Sequence, residues 1–315
     1  MTRAALITSS RRHRLAATVV VAAALIAACG SDPAPGDAAA RTTTSSAPTT
    51  TTAVQTPRPT GDLDRIVQIT HGGLHLRCVG AGHTTVLLIP GWSDGGERWS
   101  QVENALRNDA RVCSYAPFGT GTSDPPPESH TFRSEADDLA ELLDAAGEPG
   151  PYVVVGHSFG GARAVTFTDQ HRHDVAGVLL LDASPATWAD AVCAVRNDGS
   201  ETAGLLAGLC AAMHDPELDP ATNPERLRVA EAFDEVAAIP SLGDIPLSVV
   251  MAAERDYGDL GPDQAARLGG EFEAGNRRWA ALSTRSEVSL VPDTGHYIQV
   301  DQPAVVVEAI RALMP

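Results

Sequence analysis

The sequence predicts an α/β fold: a mostly parallel sheet with helices on both faces and a helical insertion. Three observations predict it. From residue 62 onward, short apolar runs recur without polar alternation, as strands buried on both faces do. Helical patterns separate these runs, and alternation of strand and helix implies a parallel sheet between helical layers. One interval, about 185–244, breaks the rhythm: it lacks a strong strand and holds Pro, Asp and helical stretches.

In chain order, residues 65–69 and 74–78 read as two early strands turned by Gly72-Gly73. The run 86–89 is continuously apolar and stops at Pro90-Gly91; 112–115 is the next. Phe132, Ala136, Leu139 and Leu143 recur at helical spacing, and Gly147 follows as a stop. Runs at 152–155, 178–181, 247–251 and 288–291 complete the strands, and a final helix covers about 303–313. An insertion at 185–244 would sit over the C-terminal ends of the strands, where it can cover a site.

The chain has 315 residues, 43% of them hydrophobic, enough for a packed core. Its basic residues are all Arg, and its formal net charge is −17. Such an acidic chain repels phosphate backbones, so no nucleic-acid partner is expected.

Residues 1–28 form a separate object. Arg3, Arg11, Arg12 and Arg14 precede an apolar run at 15–28, the pattern of a secretory signal. The run is shorter than the ~20 residues that span a bilayer. Ile26-Ala27-Ala28-Cys29 resembles a bacterial lipobox, which implies a lipid on Cys29 and an exported protein held on the outer face of the cell membrane. Residues 29–61, rich in Thr, Ser and Pro, read as a flexible tether. Residues 62–315 are the expected folded domain.

The chemistry is carried by Gly156-His157-Ser158-Phe159-Gly160-Gly161, lying between a strand and a helix. A turn this tight strains the Ser, and glycines two positions before and after it avoid a clash. The hydroxyl then stands at the sheet's top edge, above a helix N-terminus that favours developing negative charge. A free hydroxyl is a poor nucleophile and needs a base in reach. Among ten His, His296 follows the last core strand and precedes the last helix, which selects it; His157, inside the turn, is expected to pack.

On these residues the chain resembles the α/β-hydrolase superfamily across nearly all of 62–315. Leu88-Ile89-Pro90-Gly91-Trp92 is similar to the family's His-Gly segment after the third strand, with Pro90 in place of the His. Tyr115 to Asp124 is similar to its Asp-Arg-Pro-Gly-x-Gly-x-Ser loop but departs at Ala116, Pro117 and Phe118. Asp293-Thr294-Gly295-His296-Tyr297 is similar to its catalytic His loop. The resemblance implies a serine hydrolase of the esterase or lipase kind, with a small-molecule or lipid ester as substrate. Ser158 is the expected nucleophile, His296 the base, and the backbone amides of Phe159 and Trp92 the oxyanion donors. The acid is expected after the strand that follows the insertion, at Asp256, with Glu254, Asp259 and Asp182 as rivals. A peptidase or amidase of the same fold, and a silent binding module, are the alternatives.

Besides Cys29 there are Cys78, Cys113, Cys193 and Cys210. An exported chain with an even count is expected to form disulfides. The resemblance makes the second and fourth strands neighbours, pairing Cys78 with Cys113; Cys193 and Cys210 both fall in the insertion. No Cys/His cluster has zinc spacing and no phosphate loop is present, so no cofactor or metal is expected. Trp188, Leu205, Leu206, Leu209 and Met213 are candidates to line an acyl pocket.

Overall fold

A computed structural model of the chain describes residues 58–215 and 218–315. The expectations for residues 1–57, the lipid on Cys29 among them, lie outside the described residues. The order of elements is β1 (Leu63–Ile69), β2 (Gly72–Val79), β3 (Thr85–Ile89), α1 (Ser100–Leu106), β4 (Arg111–Ala116), α2 (Phe132–Ala146), β5 (Tyr152–His157), α3 (Phe159–Gln170) and β6 (Val175–Leu181). The insertion supplies α4 (Trp188–Cys193), α5 (Glu201–Met213) and α6 (Val229–Ala237). Then come β7 (Leu247–Ala252), α7 (Pro262–Ala280), β8 (Ser286–Val291), α8 (Ile298–Asp301) and α9 (Pro303–Leu313).

The strands form one eight-stranded sheet in the order β1-β2-β4-β3-β5-β6-β7-β8. The β1–β2 and β2–β4 pairs are antiparallel, and the remaining pairs are parallel. Alternate residues of the central strands feed two cores, as the two-residue period of a strand requires. Leu87, Val154 and Leu180 pack with α2, α3, α6 and α7 on one face. Val86, Val155 and Leu179 pack with α1, α8 and α9 on the other. Because the five parallel strands β3 to β7 are covered on both faces, their apolar runs are continuous, which is why they stood out in the sequence.

Two helices carried no clear pattern. The buried face of α7 holds Gly275 and Asn276 beside Leu268, Phe272 and Trp279. Gly275 is there because a Cβ would lie 2.2 Å from Pro185 Cβ, and Asn276 because its side chain donates to Ala183 O at 2.9 Å. Neither residue marks an apolar stripe. Helix α1 spans two turns only.

Both expected disulfides are present. Cys78 and Cys113 are register partners in the β2–β4 ladder. Cys193 and Cys210 join α4 to α5. Among the described residues, no helix is long and apolar enough to cross a membrane.

Candidate active site

The site is built at the C-terminal edge of the sheet. Between β5 and α3 the chain turns within one residue, and Ser158 takes φ 56°, ψ −124°, a conformation that costs a non-glycine residue energy. The turn's tightness explains its glycines. A Cβ on Gly156 would sit 2.1 Å from Gly160 O, and one on Gly160 would sit 2.4 Å from Ile89 O. The Ser158 amide donates to Leu181 O at 3.2 Å, and Ser158 O accepts from the Gly161 and Ser184 amides. The nucleophile candidate is thus locked to β6 as well as to its own helix.

His296 sits in the loop between β8 and α8. Its Nδ1 lies 2.6 Å from Asp182 Oδ2, and its ring and Ser158 line one cavity of about 300 Å³. Asp182 follows the last residue of β6 and is wholly buried. Its other oxygen accepts from the Ala252 amide at 3.0 Å and pairs with Arg255. Burial alone would raise this carboxyl's pKa. The His296 hydrogen bond, the Arg255 charge and the Ala252 amide outweigh it and hold the pKa below the ordinary carboxylate value.

This geometry corrects the expected acid. Asp256 lies in the loop after β7 but turns its carboxylate on its own loop, accepting from the Gly258 amide at 2.8 Å. Asp259 is equally occupied elsewhere, capping α5 through the Glu201 and Thr202 amides at 2.9 Å each. Glu254 is exposed. It is β6, beside the strand that leads into Ser158, that brings a carboxylate to the far nitrogen of His296. What the loop after β7 contributes to Asp182 is the Ala252 amide and Arg255.

The expected oxyanion donors lie on two adjoining segments. Phe159 is the first residue of α3, where a helix has no acceptor of its own for the N–H. Trp92 follows Gly91, whose Cα is close enough to Ser158 that an added Cβ would lie 3.2 Å from the Ser158 Cβ. The Trp92 and Phe159 rings stack with centroids 5.3 Å apart and planes 5° from parallel, tying the two segments together.

His157 packs, as expected, and does more. Its ring lies 4.6 Å from that of His296 and 5.0 Å from that of Tyr297, and its Nε2 donates to His296 O at 2.9 Å. Burial, followed by the nearness of His296, lowers its pKa to about 3. His157 is therefore a neutral strut under the His296 loop.

The remaining cavity wall combines aromatic side chains with the polar Asp94, Ser184 and Arg255. Trp188 and Leu209 reach it from the insertion, joined by Tyr257 and Phe272. Of the other insertion residues expected to line it, Met213 is buried in the core, Leu206 packs at the core's margin, and Leu205 is 67% exposed.

The sequence pattern of the Alpha/beta hydrolase family matches residues 86–309. Lipase LipV of Mycobacterium tuberculosis is 36% identical over 114 residues, 36% of this chain and 42% of the lipase. The chain thus spans less than half the length of that relative; two further curated matches are covered to 15% and 41%. Among solved structures, a thermophilic esterase from Thermogutta terrifontis is similar with a TM-score of 0.55 and 24% identity, over 80% of this chain and 97% of that one. Cfl2 from Burkholderia cenocepacia gives a TM-score of 0.58 at 21% identity, over 82% and 98%. At such identities the likeness is one of fold.

Proposed function

Because the chain belongs to the Alpha/beta hydrolase family, we propose that it is a serine hydrolase that cleaves carboxylic esters through an acyl-enzyme. One observation carries the reading furthest. A strained Ser158 shares a cavity with an imidazole whose far nitrogen is bonded to a buried, ionised carboxylate. That is the arrangement in which a neutral hydroxyl becomes nucleophilic at neutral pH.

Ser158 Oγ adds to the ester carbonyl while His296 Nε2 takes its proton. The tetrahedral oxyanion is received by the Phe159 and Trp92 amides. The carbon–oxygen bond to the alcohol then breaks, and His296 returns the proton to the leaving oxygen. Water, deprotonated by the same imidazole, adds to the acyl-enzyme and releases the acid and free Ser158. Asp182 fixes the imidazole's tautomer and stabilises the imidazolium. A cavity of about 300 Å³ is at the small end for ligand sites, which favours short or compact acyl groups over long chains. The pattern of residues 1–29 supports work at the cell envelope, with the enzyme held there by a lipid on Cys29; a Cys29→Ser variant should then leave the membrane fraction.

The test is labelling with a fluorophosphonate and turnover of p-nitrophenyl esters. Wild type should label and should hydrolyse the butyrate faster than the palmitate. Ser158→Ala should do neither. Absence of labelling in folded wild type would reject the serine mechanism and leave a binding module of this fold.

A further inference from the structure

The insertion does more than roof the cavity. Before α6 it makes a tight loop at 223–228 that is closed on itself: Asn223 Nδ2 donates to Leu227 O at 2.8 Å, and the Leu227 amide donates to Asn223 Oδ1 at 3.1 Å. The loop is clasped to the body at His130, whose carbonyl accepts the Arg228 amide at 2.9 Å and whose amide reaches Arg226 O at 3.4 Å. The approach is close enough that a Cβ on Gly119 would lie 2.1 Å from Pro224 O.

This loop delivers Glu225, wholly buried like Asn223 and Leu227 beside it. Its Oε1 accepts the Ser93 amide at 2.5 Å, and its Oε2 pairs with Arg163. Arg163 projects from α3, is itself buried, and donates to Pro90 O at 3.3 Å, to Gly91 O at 3.4 Å and to Glu135 at 2.9 Å. Ser93 holds φ 59°, a left-handed backbone that a serine rarely adopts. The segment 90–93 is therefore pinned on both sides of Trp92: at two carbonyls by Arg163, and at the strained amide beyond by Glu225. Without Glu225 the Ser93 N–H loses the acceptor that offsets this strain, and the Trp92–Ser93 peptide is left to the hold of the Asp94 amide on Gly91 O at 3.2 Å and of the Trp92–Phe159 stack.

We propose that Glu225 is a positioning residue for the oxyanion loop: by capturing the Ser93 amide it holds the turn that aims the Trp92 N–H at the reacting carbonyl. The inference rests on the serine-hydrolase reading. It makes the loop at 223–228 a fixed strut of the active site.

Two variants test it, with the enzyme concentration set by fluorophosphonate titration so that misfolded molecules do not count. In Glu225→Ala both partners are lost, and kcat per titrated site for p-nitrophenyl butyrate should fall about 30- to 100-fold, somewhat less than deletion of an oxyanion donor. In Glu225→Gln one oxygen is kept, and the fall should be smaller, about 5- to 20-fold. KM should stay within about threefold, because ground-state binding does not use the hole. Affinity for a trifluoromethyl ketone, which occupies the hole, should fall in parallel with kcat. Should the Ala variant not fold, the Gln variant alone decides. A per-site kcat within about twofold of wild type in the folded variants, with only the titre reduced, overturns the proposal by making Glu225 merely structural. Wild type that neither labels nor turns over is a different result: it removes the hydrolase reading, and this inference with it.

Discussion

At Asp182, donors from three places converge on one buried carboxylate: the His296 ring, the Ala252 amide and Arg255. Two of them come from the end of β7 and the loop after it, the place where the sequence put the acid itself. Position after a strand is legible in a sequence. Which strand end points at an imidazole 114 residues away is not, because it depends on how neighbouring strands stagger. Asp182→Asn should therefore lower kcat about 10⁴-fold by leaving His296 in the wrong tautomer, whereas Asp256→Asn should change it by no more than about threefold; the reverse order would restore the original choice. His157 carries a pH prediction. Its folded pKa, about 3, lies below the ordinary 6.5. Below pH 6.5 the unfolded chain takes up a proton that the folded one refuses. The stability it contributes is fully present above pH 6.5 and is lost as pH falls toward 3, at up to about 1.4 kcal/mol per pH unit. His157→Gln should flatten the acid limb of a denaturation series between those values; an unchanged slope would show that the buried ring is not its source.

Among the elements, legibility followed burial. Helix α9 runs over the same residues, 303–313, that the sequence marked, and the four strands β3 to β6 are found where continuous apolar runs stood. Strand β8 is the exception: it is exposed along most of its length, yet the run 288–291 marks it as fully as the runs that mark the buried strands. The insertion was legible as an interruption but not as a structure, since its packing relies on contacts between residues far apart, including the buried Glu225–Arg163 pair. One of those contacts, Cys193–Cys210, closes a short loop with a sequence separation of 17. A loop of that size contributes about 3 kcal/mol. Replacing both cysteines with alanine should speed trypsin cleavage after Arg196, which is already on the surface, because α4 and α5 then part more readily. Trp188 and Leu209 both line the cavity, so KM for p-nitrophenyl butyrate should rise as well, while kcat per titrated site stays within about threefold. Equal proteolysis of variant and wild type would show that capping of α5 by Asp259 suffices to hold the insertion.

The molecule as a whole separates stability from chemistry along the strand direction. Ser158, Asp182 and His296 gather at the C-terminal ends of the parallel strands, where loops and the insertion supply their partners. The opposite end is held by a different device. Arg111, at the start of β4, is almost wholly buried and grips Glu148, in the turn before β5, through Nε at 3.0 Å and Nη2 at 2.6 Å. Its remaining nitrogen, Nη1, donates to Gly61 O and Gly80 O at 2.9 Å each, so one guanidinium ties the start of the domain, the end of β2 and the approach to β5. A buried pair of this kind adds little net stability over an apolar substitute, but removing one partner strands the other's charge at a cost of about 3–5 kcal/mol. In a domain of this size that corresponds to a fall in Tm of about 6–20 °C for Arg111→Ala. Because the pair lies at the far end of the strands from Ser158, activity per titrated site measured well below the new Tm should match wild type within about twofold. Replacing both partners with apolar residues should recover much of the lost Tm. If Arg111→Ala instead cut per-site activity as deeply as it cut Tm, the two ends of the sheet would be coupled, and the strands would be transmitting strain to the site where they had been taken to isolate it.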